Sequence, residues 1–184
     1  SPVKKITPEI IQEAMDTIMV PMAKAMVKEG HSFTGFLYGG LMLTDKGIKT
    51  IEFNARFGDP EAEVILPRLK SDFVDVILRV MNHEAMELTW DDKVTLGVVL
   101  ASEGYPAGST KDAVITGCDE VDALVYHMGT AKKDGKLVTA GGRVMIVVAQ
   151  EDTLQAAYDK AYHEVAKIQC EKLFHRHDIG KKDM

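Results

Sequence analysis

Four valine-rich segments of strand length lie in the second half of the chain and restrict its possible folds more than any other feature. They are VTLGVVLAS (94–102), ALVYHMGT (123–130), KLVTA (136–140) and RVMIVVAQ (143–150), with glycine-containing turns between them. Asp152 is placed to cap an amphipathic helix that runs to about Cys170. Strands followed by one packing helix predict a small α+β unit.

A long helix is predicted near the start of the chain. Thr7-Pro8-Glu9 supplies a capping hydroxyl, a proline at the first helical position and an acid in the first turn. Apolar residues then recur at helical spacing as far as Gly30, which suits a helix end. Pro21 lies inside this pattern, so we expect it to kink the helix or divide it in two.

A β-hairpin is predicted next, formed by TGFLYGGLML (34–43) and GIKTIEFN (47–54) with turn residues between them. After the break at Gly58-Asp59-Pro60, residues 61–69 and 71–81 have the pattern of two short helices. At least one of Asp59 and Glu61 is expected to cap the first of them, and the alternative role for these acids is to orient Arg56.

The polar stretch 82–92 separates these helices from the valine-rich half and is the predicted domain boundary. The corresponding division gives residues 1–88 to a first domain and residues 89–184 to an α+β second domain.

Composition excludes several classes of protein. The chain of 184 residues is 46% hydrophobic and 27% charged, with a formal net charge of -6, which argues against a nucleic-acid-binding protein. No apolar run approaches the roughly 20 residues of a membrane span, and the first residues show no signal-peptide pattern. The two cysteines, Cys118 and Cys170, are isolated. These observations predict a cytoplasmic protein with neither a nucleic-acid nor a membrane partner.

The stretch IEFNARFGDPE (51–61) carries the chemistry. Side chains two apart on a strand share a face, so Glu52 and Asn54 should project together while Phe53 faces the core. A carboxylate and an amide oxygen are ligands that Mg²⁺ accepts, and that ion completes its octahedron with water and substrate phosphates. Arg56 follows at once and could place a permanent planar charge against a phosphoryl group. A solvated strand edge with a salt-bridged arginine explains the same residues.

A wider set of motifs resembles the phosphoribosylamine–glycine ligase family, ATP-grasp enzymes of purine biosynthesis. The resemblance begins in TGFLYGGLMLTDKG and is strongest in IEFNARFGDPEAEVILPRLKSD. It continues through ASEGYPAGSTK, HMGTA, KLVTAGGRV and the terminal HRHDIG, and so covers nearly the whole chain. It implies the second half of an ATP-grasp domain followed by a small α+β C-terminal domain.

The resemblance also implies a reaction. ATP phosphorylates the glycine carboxylate, and the amine of 5-phosphoribosylamine attacks the acyl phosphate to give glycinamide ribonucleotide. Glu52 and Asn54 match the metal-binding pair of the family, which implies Mg²⁺ (or Mn²⁺) and ATP. Arg56 matches the neighbouring arginine, with phosphate or acyl-phosphate stabilisation as its inferred role. Many ATP-grasp relatives carry a further acid on the preceding strand, whereas FLYGGLML has none, which argues against a second metal ion.

Two loops are secondary candidates. Gly141-Gly142-Arg143 could bring backbone N–H groups and a guanidinium to a phosphate, so Arg143 is a candidate substrate-binding residue. A plain two-glycine turn explains the glycines equally well. Residues 104–108 (GYPAG) form either a plain loop or one that faces the substrate.

A complete family member also has an N-terminal part with the nucleotide-clamping lysine, which this chain does not show. The expectation is therefore a C-terminal portion of the ligase that is inactive alone and needs that N-terminal part as its partner. Two alternatives are another ATP-grasp carboxylate–amine ligase and a non-catalytic binding or assembly module.

Overall fold

The structure, a computed structural model, describes residues 1–184 and contains both helices and strands. Two helices and a hairpin come first, followed by two more helices. Their bounds are α1 Pro8–Ala14, α2 Val20–Lys28, β1 Tyr38–Thr44, β2 Gly47–Asn54, α3 Glu61–Ile65 and α4 Phe73–Met81. Six strands and one helix follow, namely β3 Val94–Ser102, β4 Leu124–His127, β5 Thr130–Lys133, β6 Lys136–Thr139, β7 Arg143–Glu151, α5 Leu154–Val165 and β8 Leu173–Phe174.

The first helical region begins and ends as predicted. The Thr7 hydroxyl accepts a hydrogen bond from the Ile10 amide, and Gly30 takes a positive φ just beyond the end of α2. A π-helical turn, Met15–Met19, separates α1 from α2, and Pro21 lies in the first turn of α2. The predicted division at Pro21 is therefore confirmed. Since proline has no amide hydrogen, the preceding turn cannot keep the regular α-helical pattern.

The predicted hairpin is present, and its first strand begins later than expected. β1 starts at Tyr38 rather than at residue 34, and it pairs with β2 in antiparallel register. Asp45 and Lys46 form the turn, where the Thr44 hydroxyl donates to the Gly47 carbonyl at 2.8 Å. A bulge at Gly40/Leu41 interrupts the register, so one residue of β2, Ile51, has no opposite partner.

The valine-rich half forms a four-stranded antiparallel sheet in the order β4-β7-β3-β8. α5 packs on one face of this sheet and buries alternate residues of the two central strands, such as Val98 and Val147. These two valines are both 0% exposed, so the core of this half lies between α5 and the sheet. The predicted strands at 94–102 and 143–150 and the presence of a packing helix are confirmed.

The other face of the sheet is covered in part by α3. A β-carbon placed on Gly97 of β3 would lie 2.8 Å from a Val64 methyl and 2.6 Å from the Ile146 side chain. The Thr95 hydroxyl donates to the Val64 carbonyl. Gly97 is therefore the residue that lets α3 approach the sheet closely.

Three sequence expectations in this half were wrong in detail. The predicted strand 123–130 is split between β4 and β5, because Gly129 packs tightly against the backbone at residues 141 and 143. The cap of α5 is Thr153 and not Asp152; its hydroxyl accepts from the Ala156 amide at 3.1 Å. The helix ends at Val165 rather than near residue 170, because Gln169 pairs with a distant backbone segment at Thr116.

The chain groups into two compact units. One contains residues 3–59 and 69–90, and the other contains residues 1–2, 60–68 and 91–184. The domain boundary between residues 88 and 89 stays a prediction. None of the helices is both long and apolar enough to cross a membrane.

A buried glutamate ties α5 to the loop before β4. The Glu164 side chain is 5% exposed, and its carboxylate accepts from the Asp122 amide at 2.6 Å and from the Lys167 ammonium at 2.7 Å. The hydrogen bond from Lys167 is the main cause that lowers the pKa of Glu164; burial acts in the opposite direction. The carboxylate therefore favours the folded state when it is ionised.

Replacing Glu164 with glutamine should lower the free energy of unfolding by about 2 kcal/mol at neutral pH, since it removes the charge that Lys167 faces. Because the folded-state pKa lies below the unfolded value of 4.5, this stabilisation exists above that pH and disappears as the pH falls through the folded pKa. Urea unfolding at a series of pH values measures the difference. Glu103→Gln, at the exposed pair with Lys172, is the control and should change stability little. A deficit for Glu164→Gln that stayed constant into strong acid would contradict the ionic explanation.

Candidate active site

The hairpin places two of the predicted ligands side by side. Glu52 lies opposite Gly40 and Asn54 lies opposite Tyr38 in the antiparallel register. The Asn54 side-chain amide donates to a Glu52 carboxylate oxygen at 2.9 Å. The two side chains therefore share a face, as the alternation predicts, and both sit near the end of β2.

The other face of the hairpin is apolar and lies toward the first helical region. Phe53 is half-buried and pairs with Gly39, over which the Met19 sulfur lies. A β-carbon on Gly39 would come within 2.6 Å of that sulfur, so the strand can approach the helix only because the residue is glycine. The packing of this face fixes the direction in which Glu52 and Asn54 point.

Gly40 has a separate role that the sequence reading missed. It faces Glu52, and a β-carbon there would lie 3.1 Å from the Glu52 γ-carbon. The glycine leaves room for the acidic side chain across the strand pair. The signal was present in the sequence as two consecutive glycines inside a strand, where glycine often marks a close approach.

The structure does not bring Arg56 into contact with the pair. Its guanidinium is exposed and donates to the neighbouring Phe57 carbonyl at 2.7 Å. Phe57 itself is anchored in an aromatic cluster, with ring centroids 4.4 Å from Phe36 and 6.2 Å from Phe73. The backbone next to Arg56 is thus fixed, while the long side chain of Arg56 reaches solvent.

The expected capping of α3 by Asp59 or Glu61 was wrong. The N-cap residue is Pro60, which forms no side-chain capping hydrogen bond. Glu61 and Glu63 lie within that first turn, where their negative charges interact favourably with the positive end of the helix dipole and stabilise the helix.

The donors available for a cation are few and oxygen-based. No group of three or more histidine, cysteine, aspartate or glutamate side chains is gathered as a metal cluster. The exposed Glu52 and the half-buried Asn54 offer one carboxylate and one amide oxygen on the same face of the strand. This donor set fits Mg²⁺, which commonly takes one or two protein ligands and fills its other positions with water and phosphate oxygens.

The two secondary loops lie together. Arg143 begins β7, and the Tyr105 ring packs on Gly142, where a β-carbon would come within 2.6 Å of a ring carbon. The Ser102 hydroxyl donates to the Gly141 carbonyl at 2.9 Å. Gly142 is therefore required by close packing against the Tyr105 ring, a contact that neither motif predicted alone, whereas a β-carbon on Gly141 would lie 3.2 Å from the Gly129 α-carbon.

Comparison with known proteins places this geometry in a family. The model described as "Phosphoribosylglycinamide synthetase, ATP-grasp (A) domain" matches residues 1–62, and that described as "Phosphoribosylglycinamide synthetase, C domain" matches residues 95–182. A phosphoribosylamine–glycine ligase from Halalkalibacterium halodurans is 47% identical in an alignment that covers 99% of the chain. The chain belongs to the phosphoribosylglycinamide synthetase family.

Other relatives agree with this assignment. The phosphoribosylamine–glycine ligase of Listeria innocua is 44% identical over 99% of the chain. The crystal structure of the Thermotoga maritima phosphoribosylamine–glycine ligase superposes with a TM-score of 0.79 at 36% identity over 97% of the chain. The chain spans only 43% and 44% of the two curated relatives and 44% of the solved structure.

A more distant solved structure agrees on the fold alone. The biotin carboxylase domain of the Hydrogenobacter thermophilus 2-oxoglutarate carboxylase, determined with MgADP, ADP and bicarbonate, has a TM-score of 0.59 at 16% identity. That match covers 95% of this chain and 39% of the other. The predicted fold class, part of an ATP-grasp domain followed by a small α+β C-terminal domain, is confirmed.

Proposed function

We propose that this synthetase-family chain is the C-terminal part of an ATP-dependent ligase that joins glycine to 5-phosphoribosylamine in purine biosynthesis. The observation that carries the proposal is the Glu52–Asn54 pair, which lies inside the segment matched by the ATP-grasp model. The ligase name of the close relatives supports the substrates. ATP, glycine, 5-phosphoribosylamine and the N-terminal part of the same enzyme are its proposed partners.

The glycine carboxylate must first be activated, because a carboxylate ion is a poor acyl donor to an amine. Transfer of the terminal phosphoryl group of ATP to a glycine carboxylate oxygen gives glycyl phosphate and ADP. The amine nitrogen of 5-phosphoribosylamine then attacks the acyl carbon, phosphate leaves, and the nitrogen loses a proton. Glycinamide ribonucleotide is the product.

Glu52 and Asn54 would hold Mg²⁺ (or Mn²⁺), which when bound neutralises the charge of the ATP phosphates. Glu52 supplies the negative charge and a carboxylate oxygen. Asn54 orients that carboxylate through the 2.9 Å hydrogen bond and presents its own amide oxygen on the same face. Gly40, opposite, leaves space for this arrangement.

Arg56 is proposed as the residue that stabilises the transferred phosphoryl group. In the structure its guanidinium binds only the Phe57 carbonyl and is exposed, so a rotation of the side chain is enough to release it. The aromatic cluster around Phe57 keeps the backbone in place during that rotation. A bidentate guanidinium–phosphate contact is the interaction that arginine forms best.

The 184-residue chain alone is expected to form no measurable glycinamide ribonucleotide, because it spans less than half the length of its ligase relatives. Activity should appear in a complete ligase, defined here as the Halalkalibacterium halodurans relative with its corresponding segment replaced by these 184 residues. The assay measures glycine-dependent ADP release and the ribonucleotide product. Turnover by the purified chain alone would contradict the requirement for the rest of the enzyme. A folded complete ligase that uses another amine or acid instead would contradict the proposed substrates.

A further inference from the structure

Two histidine rings are in contact close to the end of the chain. The centroids of the His175 and His177 rings lie 4.6 Å apart, and the ring planes are inclined at 64°. His175 is half-buried and His177 is exposed, so the pair is open to solvent on one side. The ligase chemistry proposed above uses neither residue, and the pair therefore calls for a separate explanation.

The segment that carries the pair, residues 175–179, is anchored to the sheet at both ends. Immediately before it, Phe174 of β8 pairs with Ala101 of β3. Immediately after it, Gly180 takes a φ of +82° and lies so close to Leu96 that a β-carbon there would come within 2.5 Å of a leucine methyl carbon. The sheet thus fixes where the segment begins and where it ends.

Two tyrosines of α5 hold the middle of this segment. The Tyr162 hydroxyl donates to the Arg176 carbonyl at 2.8 Å and accepts from the Ile179 amide at 3.1 Å. The Tyr158 hydroxyl donates to the His177 carbonyl at 3.3 Å. These bonds fix the backbone and use none of the imidazole nitrogens. The two rings are therefore held together before any ligand arrives, which lowers the entropic cost of binding one.

The positive charge between the two histidines is compensated. The Arg176 guanidinium forms a bidentate pair with the Asp178 carboxylate at 2.7 and 2.9 Å. This pairing reduces the repulsion that a cation would meet at the neighbouring rings. It also commits Asp178 to the arginine, in agreement with the absence of a cluster of three or more metal-binding side chains.

We propose that His175 and His177 form a two-histidine site for a divalent transition-metal ion of the Zn²⁺ or Cu²⁺ type. Imidazole nitrogen suits these ions, whereas Mg²⁺ prefers oxygen ligands. With metal–nitrogen bonds of about 2.0 Å, two imidazoles on one ion have centroids roughly 4.5–5 Å apart. The separation of 4.6 Å falls within that range. Water completes the coordination on the exposed side. The proposal does not rest on the proposed function.

The test is an NMR titration of the ¹⁵N-labelled 184-residue chain, purified without a polyhistidine tag, with Zn²⁺ alone. We expect the imidazole nitrogen signals of His175 and His177 to shift together and to saturate at one ion per chain. Isothermal titration calorimetry should give a smaller dissociation constant for Cu²⁺ than for Zn²⁺, the order that nitrogen ligands impose. Mg²⁺ should leave both pairs of ring signals in place.

Substitutions of single histidines assign the ligands. His175→Gln and His177→Gln should each weaken Zn²⁺ binding by about tenfold or more, because each removes one of the two nitrogen ligands. His163→Gln is the matched control, since it removes a histidine of α5 whose side chain is 73% exposed. It should leave the affinity for Zn²⁺ unchanged.

Three results would overturn the assignment. They are full Zn²⁺ affinity in a folded His177→Gln chain, shifts confined to other histidines, and no saturable Zn²⁺ binding at all, which would show that the rings meet through packing alone. Because His177 is exposed, its replacement should leave the fold intact, and unchanged amide signals away from residues 175–179 verify this. Since no catalysis is measured, these outcomes are independent of the ligase assay.

Discussion

Replacing Glu52 with glutamine is expected to slow phosphoryl transfer in the complete ligase by at least about tenfold, which corresponds to about 1.4 kcal/mol of transition-state stabilisation. Glutamine keeps the shape and the contact with Asn54 but removes the charge that a cation requires. The variant should also need more Mg²⁺ for half-maximal rate. Steady-state kinetics over a Mg²⁺ titration measure both effects.

Phe53→Leu is the matched control for this experiment, because it changes the next residue on the opposite, half-buried face of β2. It should lower the melting temperature while leaving the Mg²⁺ dependence as it is. A Glu52→Gln enzyme with normal kcat and normal Mg²⁺ dependence would show that the pair is an ordinary exposed strand edge. The metal assignment would then be wrong.

Replacing Gly117 with alanine should destabilise the chain by about 3 kcal/mol or more, the largest stability effect that we predict. Two causes act together. Gly117 has a φ of +81°, and an added β-carbon would collide with the Lys167 carbonyl oxygen. That oxygen belongs to the backbone just after α5, so it cannot turn away as a flexible side chain would. Urea unfolding followed by circular dichroism gives the change in the free energy of unfolding.

Gly135→Ala separates the two causes. Gly135 has a similar φ of +74° in the turn between β5 and β6, and no heavy atom lies within 4 Å of the position that its β-carbon would take. Its substitution should cost only about 1 kcal/mol, the penalty of the left-handed conformation alone. Equal losses for the two variants would show that the collision with the Lys167 carbonyl contributes nothing.

Sequence patterns correctly predicted the structural features that depend only on neighbouring residues. Alternation along β2 is a property of neighbouring residues, and it correctly placed Glu52 and Asn54 on one face. The Thr7 cap and the division near Pro21 also depend on only a few adjacent residues. The hypotheses about the metal and the substrates came from the family motifs, because spacing alone could not supply them.

Features that depend on distant contacts were not predictable in this way. The end of α5 is set by the pairing of Gln169 with Thr116, and no signal within the helix marks it. The orientation of Arg56 depends on a neighbour, Phe57, whose aromatic partners Phe36 and Phe73 come from other elements. The loop 104–108 meets the turn before Arg143 through the contact of Tyr105 with Gly142, so the sequence offered these two loops only as unconnected candidates.

The position of α3 has a consequence for how genes of this family can recombine. Residues 60–68 precede the polar stretch in the chain but group with the sheet of the second half, where Val64 packs against Gly97 and Ile146. A crossover near residue 89 would combine the sheet of one parent with the covering helix of another. A crossover just before residue 60 would inherit helix and sheet together. Hybrid enzymes joined at the earlier point should therefore tolerate greater divergence between their parents.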